Sequence, residues 1–253
     1  MRWKSASRGY EDSWKDDRLR GDSMAKRMPG FCQSRYNMFS QVRQDMIDTT
    51  LSVSFCTSPT LCGHSYSMSP KTALVILADG VEEMEAVIPA DILRRGGVEV
   101  TYAGMDGAGK VTCSKKTVIT PDGALNDVKS KTFDVVVLPG GSRSSVSLAA
   151  SEAVGQVLKA HATAGKIIAA ICHAPIALKS HSIKAALLTS HPGVRKQLEE
   201  GGYKYSEDSV VVADGVVTSR GPGTAFEFAL KLVELLVGNE KSKQLAEAML
   251  VKL

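Results

Sequence analysis

A chain of 253 residues, 43% of them hydrophobic and 23% charged, is long enough and apolar enough for one good-sized core. Its formal net charge of +4, without a dense basic stripe, argues against a dedicated nucleic-acid site. No apolar run approaches the roughly 20 residues of a membrane span, and no heptad, collagen or solenoid period is present.

The composition changes near residue 70. Residues 1–70 open with mixed charge and little apolar periodicity, then turn rich in Ser, Thr and small residues. This predicts a disordered N-terminal extension. Arg and Ser would suit a mitochondrial presequence, but Glu11, Asp12, Asp16, Asp17 and Asp22 argue against one. Met68 stands just before the compact pattern and is a candidate second start.

From Lys71 the elements follow in order. "ALVILA" (Ala73 to Ala78) is a continuous β-prone run, expected of a strand covered on both faces. "EEMEAVIPADILRRGG" predicts a helix closed by glycines, with Pro89 an irregularity inside it. "VEVTYAG" reads as a strand and "KVTCSKKTVITPDG" as a hairpin excursion. "DVVVLPGG" (Asp134 to Gly141) is a buried strand ending in two glycines. A helix over "SEAVGQVLKAHATAG", a strand over "KIIAAI" and a short helix over "PGVRKQLEEGG" follow. "SVVVADGVVTS" is two strands around an Asp-Gly turn, and two helices close the chain. The alternation predicts an α/β sandwich with a mostly parallel sheet and helices on both faces. Ligands then gather at the carboxyl ends of strands, where Gly80, Gly140-Gly141 and Cys172 all fall.

The five cysteines (Cys32, Cys56, Cys62, Cys113 and Cys172) are odd in number and irregular in spacing, so reduced thiols are expected rather than a disulfide framework. Cys62-Gly-His64 lacks partners at zinc-site spacing, and no metal is expected. Cys172, in "KIIAAICHAPIAL", stands where a strand stops and a helix begins. A residue on such a sharp turn can present its side chain at the sheet edge, and the N–H groups and positive end of the next helix favour thiolate. The alternative is a small buried hydrophobe. Gly140 and Gly141 could offer backbone N–H groups to an oxyanion, or simply turn the chain. His191, in "LLTSHPG", could supply a proton or be structural. Glu82 and Glu83 read as charges matched to a helix N-terminus.

"ALVILADGVEEMEAVIPADILRRGG", "VVVLPGG", "AAICHAP", "TSHP" and "TSRGPGTAFEFAL" together resemble the DJ-1 branch of the DJ-1/PfpI superfamily, in order over residues 71–253. The resemblance implies a flavodoxin-like three-layer sandwich, a homodimer and a nucleophile-elbow cysteine, here Cys172. The family's buried glutamate falls on Glu85, its backbone donors on Gly140 and Gly141 (with the His173 N–H), its pocket histidine on His191. A pocket-edge arginine supplied across the dimer falls on Arg95, and a peripheral cysteine near the dimer contact on Cys113. Two departures stand out. His173 follows the cysteine directly, as in the PfpI-like hydrolases with their Cys-His-acid set. Thr120 stands where a further surface cysteine is often found.

The implied activity is a cofactor-free, cysteine-dependent glyoxalase or deglycase acting on methylglyoxal-type dicarbonyls and early glycation adducts, with protection against oxidative stress. The competing readings are a redox sensor and chaperone using oxidation of Cys172, and a cysteine peptidase or amide hydrolase using His173. The expected partners are a small dicarbonyl or a glycated protein and a second copy of the chain, with no membrane contact. The expected location is cytoplasmic, with nucleus and mitochondrion left open.

Overall fold

The computed structural model describes residues 69–252. The expectations for the N-terminal extension, for Met68 and for the Cys62–His64 pair fall on residues outside that range. In chain order the elements are β1 (Thr72–Leu77), α1 (Glu83–Arg95), β2 (Glu99–Gly104), β3 (Val111–Thr112), β4 (Val118–Ile119), β5 (Gly123–Ala124) and α2 (Leu125–Val128). Then come β6 (Val135–Leu138), α3 (Ser142–Ala150), α4 (Glu152–Thr163), β7 (Ile167–Ile171) and α5 (Pro175–Ser180). The last are β8 (Leu187–Leu188), α6 (Arg195–Glu199), β9 (Lys204–Tyr205), β10 (Val210–Ala213), β11 (Val216–Ser219), α7 (Ala225–Val237) and α8 (Asn239–Ala248).

Seven strands form the main sheet in the order β10-β11-β7-β6-β1-β2-β5. All pairs are parallel except β10 with β11, which closes on Asp214-Gly215, both at positive φ as a type I′ hairpin requires. The apolar runs of the central strands have a direct cause. In β1, Ala73, Val75 and Leu77 enter one core while Leu74 and Ile76 enter the other. β6 divides in the same way, with Val135 and Val137 on one side and Val136 and Leu138 on the other. The first core is roofed by α1, α7 and α8, through side chains such as Leu93, Phe228 and Leu245. The second is roofed by α2 to α5, through Leu125, Leu148, Leu158 and Leu178. This is the three-layer flavodoxin-like sandwich that the sequence predicts.

α1 runs on through Pro89, as the helix expected over this stretch does. One local difference matters for the site. Ser142–Ala150, for which no element was expected, is a nine-residue helix entering directly from Gly141. Its serines are poor helix formers, and packing against α5 holds it instead. No helix among the described residues is long and apolar enough to cross a membrane.

Candidate active site

The carboxyl ends of β11, β7, β6 and β1 lie side by side, and the residues that follow them converge. Cys172, immediately after β7, has φ +64, a backbone that non-glycine residues seldom adopt. The turn is pinned on both sides. The Cys172 N–H donates to the Ser219 carbonyl at 3.0 Å, and the His191 N–H donates to the Cys172 carbonyl at 2.8 Å. Pro175 at the start of α5 then sets the helical direction. This strained strand-to-helix turn is the predicted elbow.

Gly140 is the contact point between the thiol and Glu85. A Cβ built there would lie 2.7 Å from Cys172 Cβ and 2.5 Å from Glu85 Oε2. Glu85 hangs inward from the first turn of α1 and is fully buried. Its Oε2 accepts from the Gly140 N–H at 2.8 Å, its Oε1 has no hydrogen-bond partner among the described residues, and the carboxyl packs beside Cys172 across Gly140. Burial is the main cause raising the Glu85 pKa to about 7, reinforced by the charge of Glu82. Glu82 itself caps α1, accepting from the Glu85 N–H at 2.9 Å. Glu83 turns the other way and holds the β3–β4 loop through Ser114, Lys115 and Thr117.

Cys172 is 5% exposed, more enclosed than a reactive edge thiol was expected to be. Burial and the adjacent Glu85 carboxylate push the thiol up, against the pull of the Gly141 and His173 backbone N–H groups. The expected lowering by the next helix is therefore outweighed, because α5 has only six residues and the sulfur is desolvated beside a carboxylate. The two groups titrate together. When Glu85 holds the proton, near neutral pH, the repulsion on the sulfur is gone and the carboxyl can donate to a thiolate.

The two expected histidines take different places beside the sulfur. His173 Nδ1, not His191, lies on the thiol, 3.2 Å from Sγ. The His191 ring stacks on the His173 ring with centroids 4.6 Å apart, and its Nδ1 accepts from the Gly193 N–H at 3.1 Å. Burial, then the charge of His191, lowers the His173 pKa, so the imidazole on the sulfur is neutral at pH 7. His191 is thus one ring removed from the sulfur.

The structure also places the expected backbone donors, Arg95 and Cys113. The Gly140 N–H is taken by Glu85, which leaves Gly141 and His173 as the backbone donors facing the sulfur. Within one chain Arg95 lies in the last turn of α1, exposed and paired with Asp91 at 2.6 Å, ten residues along the helix from Glu85. Cys113 is a buried free thiol, pushed up to about 11 chiefly by burial and then by Glu83. Sequence reasoning missed Arg143 and Ser144 on α3, although a Gly-Gly-Ser run after a buried strand is a usable sign of a helix entry. Among the described residues no three His, Cys, Asp or Glu side chains are placed to hold a metal ion. A hollow of about 640 Å³ between Lys159, Lys166, Lys184 and Asp214 lies at the amino ends of β7 and β11, away from this chemistry.

The fold that carries this cysteine elbow is shared with known proteins. Residues 71–235 match the DJ-1/PfpI family. The chain belongs to that family. It is 50% identical over 183 residues to protein dj-1beta of Drosophila melanogaster, covering 72% of this chain and 97% of that protein. It is 48% identical over 176 residues to a Caenorhabditis elegans protein named glutathione-independent glyoxalase DJR-1.2, covering 69% and 94%. The crystal structure of Drosophila melanogaster DJ-1beta superposes with a TM-score of 0.71, covering 73% of this chain and all of that one.

Proposed function

We propose that this DJ-1 family chain is a cofactor-free glyoxalase that converts methylglyoxal-type 2-oxoaldehydes to 2-hydroxy acids. The observation that carries the reading is the fully buried Glu85 carboxyl packed beside Cys172 across Gly140 on a strained elbow. The thiol proton passes to Glu85 or to neutral His173, and the sulfur adds to the aldehyde carbon to give a hemithioacetal. The Gly141 and His173 N–H groups stabilise the developing oxyanion. A base beside the sulfur takes the proton from that carbon and returns it to the neighbouring carbonyl carbon, leaving a 2-hydroxy thioester. Water cleaves the thioester and restores the thiol. The net change is addition of one water, with no external oxidant or reductant. Early glycation adducts present the same carbonyl-level carbon, and deglycase activity is a second expected use of the site.

The Cys-His hydrolase reading is less well supported. His173 does touch the sulfur, but the ring stacked on it is His191, where an acid would be needed to complete the set. The test is production of lactate from methylglyoxal by the full chain without glutathione, followed by NMR. Turnover that disappears after stoichiometric alkylation of Cys172 is expected, and its absence in the unmodified protein overturns the proposal.

The chain is also expected to be a homodimer. Met84, Val87, Val118 and Phe226, on α1, the docked β3–β4 hairpin and α7, are between 40% and 52% exposed. Arg95 continues the Met84–Val87 face of α1, so a two-fold contact there would carry it toward the partner's pocket. Sedimentation should give twice the chain mass, and Val87→Glu should give the monomer. A monomeric parent protein would remove Arg95 from the site.

A further inference from the structure

Beside the thiol stands a set of groups that the proposed reaction leaves unused. α3 enters from Gly141 at φ +97 with no side chain capping it. The N–H groups of its first turn therefore have no partner within the helix. Ser144, third residue of the helix, is fully buried, and its hydroxyl has no partner. Ser144 belongs to that first turn itself, so the turn holds an unpartnered hydroxyl as well as its open N–H groups.

Arg143, between them, is exposed and forms no ion pair among the described residues. Its stem is fixed all the same. A Cβ placed on Gly80 would come within 2.8 Å of Arg143 Cβ and 3.3 Å of its Cγ and Cδ, so the side chain runs across the bare glycine. Gly80 is equally close to Gly141, whose own Cβ position is 2.2 Å from the Gly80 carbonyl oxygen. The guanidinium thus springs from the same three-residue junction that presents the Gly141 N–H to the sulfur. The nearby acids are already engaged. Asp79 accepts from the Thr112 N–H at 3.0 Å, and Glu82 caps α1.

We propose that Arg143 and the open first turn of α3 form a carboxylate-binding subsite adjoining Cys172. A guanidinium with no internal counter-ion and a positive helix end favour an anion there. The ligand class is a small acid whose reacting carbon sits on the sulfur: the 2-hydroxy acid product, or a 2-oxoaldehyde that itself carries a carboxylate. The inference rests on Cys172 being the reactive thiol of the proposed function, but its test does not need turnover.

The probes are iodoacetate and iodoacetamide, in which the Cys172 sulfur displaces iodide from the same CH2 group with and without a carboxylate beside it. In the full chain the ratio of the iodoacetate rate to the iodoacetamide rate is expected to fall about fivefold in Arg143→Leu, the size of a partly exposed ion pair. Arg143→Lys is expected to restore part of it, and salt to reduce it in the parent. Lactate should protect the parent from iodoacetamide better than it protects Arg143→Leu. An unchanged rate ratio and equal protection in Arg143→Leu would overturn the subsite, even if methylglyoxal turnover is found. A changed ratio in a protein without turnover would keep the subsite and reject the glyoxalase.

Discussion

Cys172→Ser is expected to reduce methylglyoxal turnover by about a thousandfold or more while leaving the melting temperature within a few degrees. The asymmetry follows from what the sulfur does and does not contribute. Serine keeps the backbone N–H to Ser219 and the carbonyl to His191, so the elbow remains pinned. A hydroxyl, however, is a weaker acid and a far weaker nucleophile than a thiol, so with the same Glu85 and His173 beside it the serine adds to the aldehyde much more slowly. Glu85→Gln tests the other half. It keeps the side-chain shape and loses proton transfer, for which a loss of about 10²–10⁴ in kcat is expected. Serine activity within tenfold of the parent would place the nucleophile elsewhere.

The sheet was legible because its central strands are apolar on both faces. "ALVILA", "DVVVLPGG" and "KIIAAI" read as strands; β6 and β7 fall inside theirs, and β1 matches the first but begins one residue earlier, at Thr72. The elbow was legible for a related reason: a strand followed directly by Cys-His-Ala-Pro leaves room for only a sharp turn before the helix that Pro175 starts. The strand order was not legible, because periodicity says which residues are inside but not which strand lies beside which. α3 was missed because "SRSSVSLAA" has neither a strong helix propensity nor an apolar stripe, and tertiary packing decides it. The histidine assignment depended on a dihedral angle. With Cys172 at φ +64, the next side chain turns back onto the sulfur and His191 is left to stack behind it. Nothing in the residue types of "SHP" and "CHAP" distinguishes those positions.

Gly140→Ala is expected to lower stability by about 1–3 kcal/mol, the usual cost of overpacking, and to reduce turnover by far more than that loss would explain. The new methyl would stand 2.5 Å from Glu85 Oε2, 2.7 Å from Cys172 Cβ and 2.9 Å from the Ile171 carbonyl oxygen. None of these can swing aside cheaply. Ile171 O belongs to β7, Cys172 Cβ is fixed by the elbow, and Oε2 is held by the N–H of Gly140 itself. The β6–α3 turn must therefore move away from β7, and Gly141 moves with it. That withdraws an N–H from the sulfur and loosens the carboxyl packed beside the thiol, so one methyl group disturbs two contacts of the proposed site at once. Gly109→Ala is the control, since a Cβ there meets nothing within 4 Å and the backbone is not in the left-handed region. Chemical denaturation and methylglyoxal turnover measured on both variants separate a packing defect from a catalytic one. A Gly140→Ala protein as stable and as active as Gly109→Ala would mean that Cys172 and Glu85 do not meet across this glycine, and the proton transfer proposed between them would be lost as an explanation.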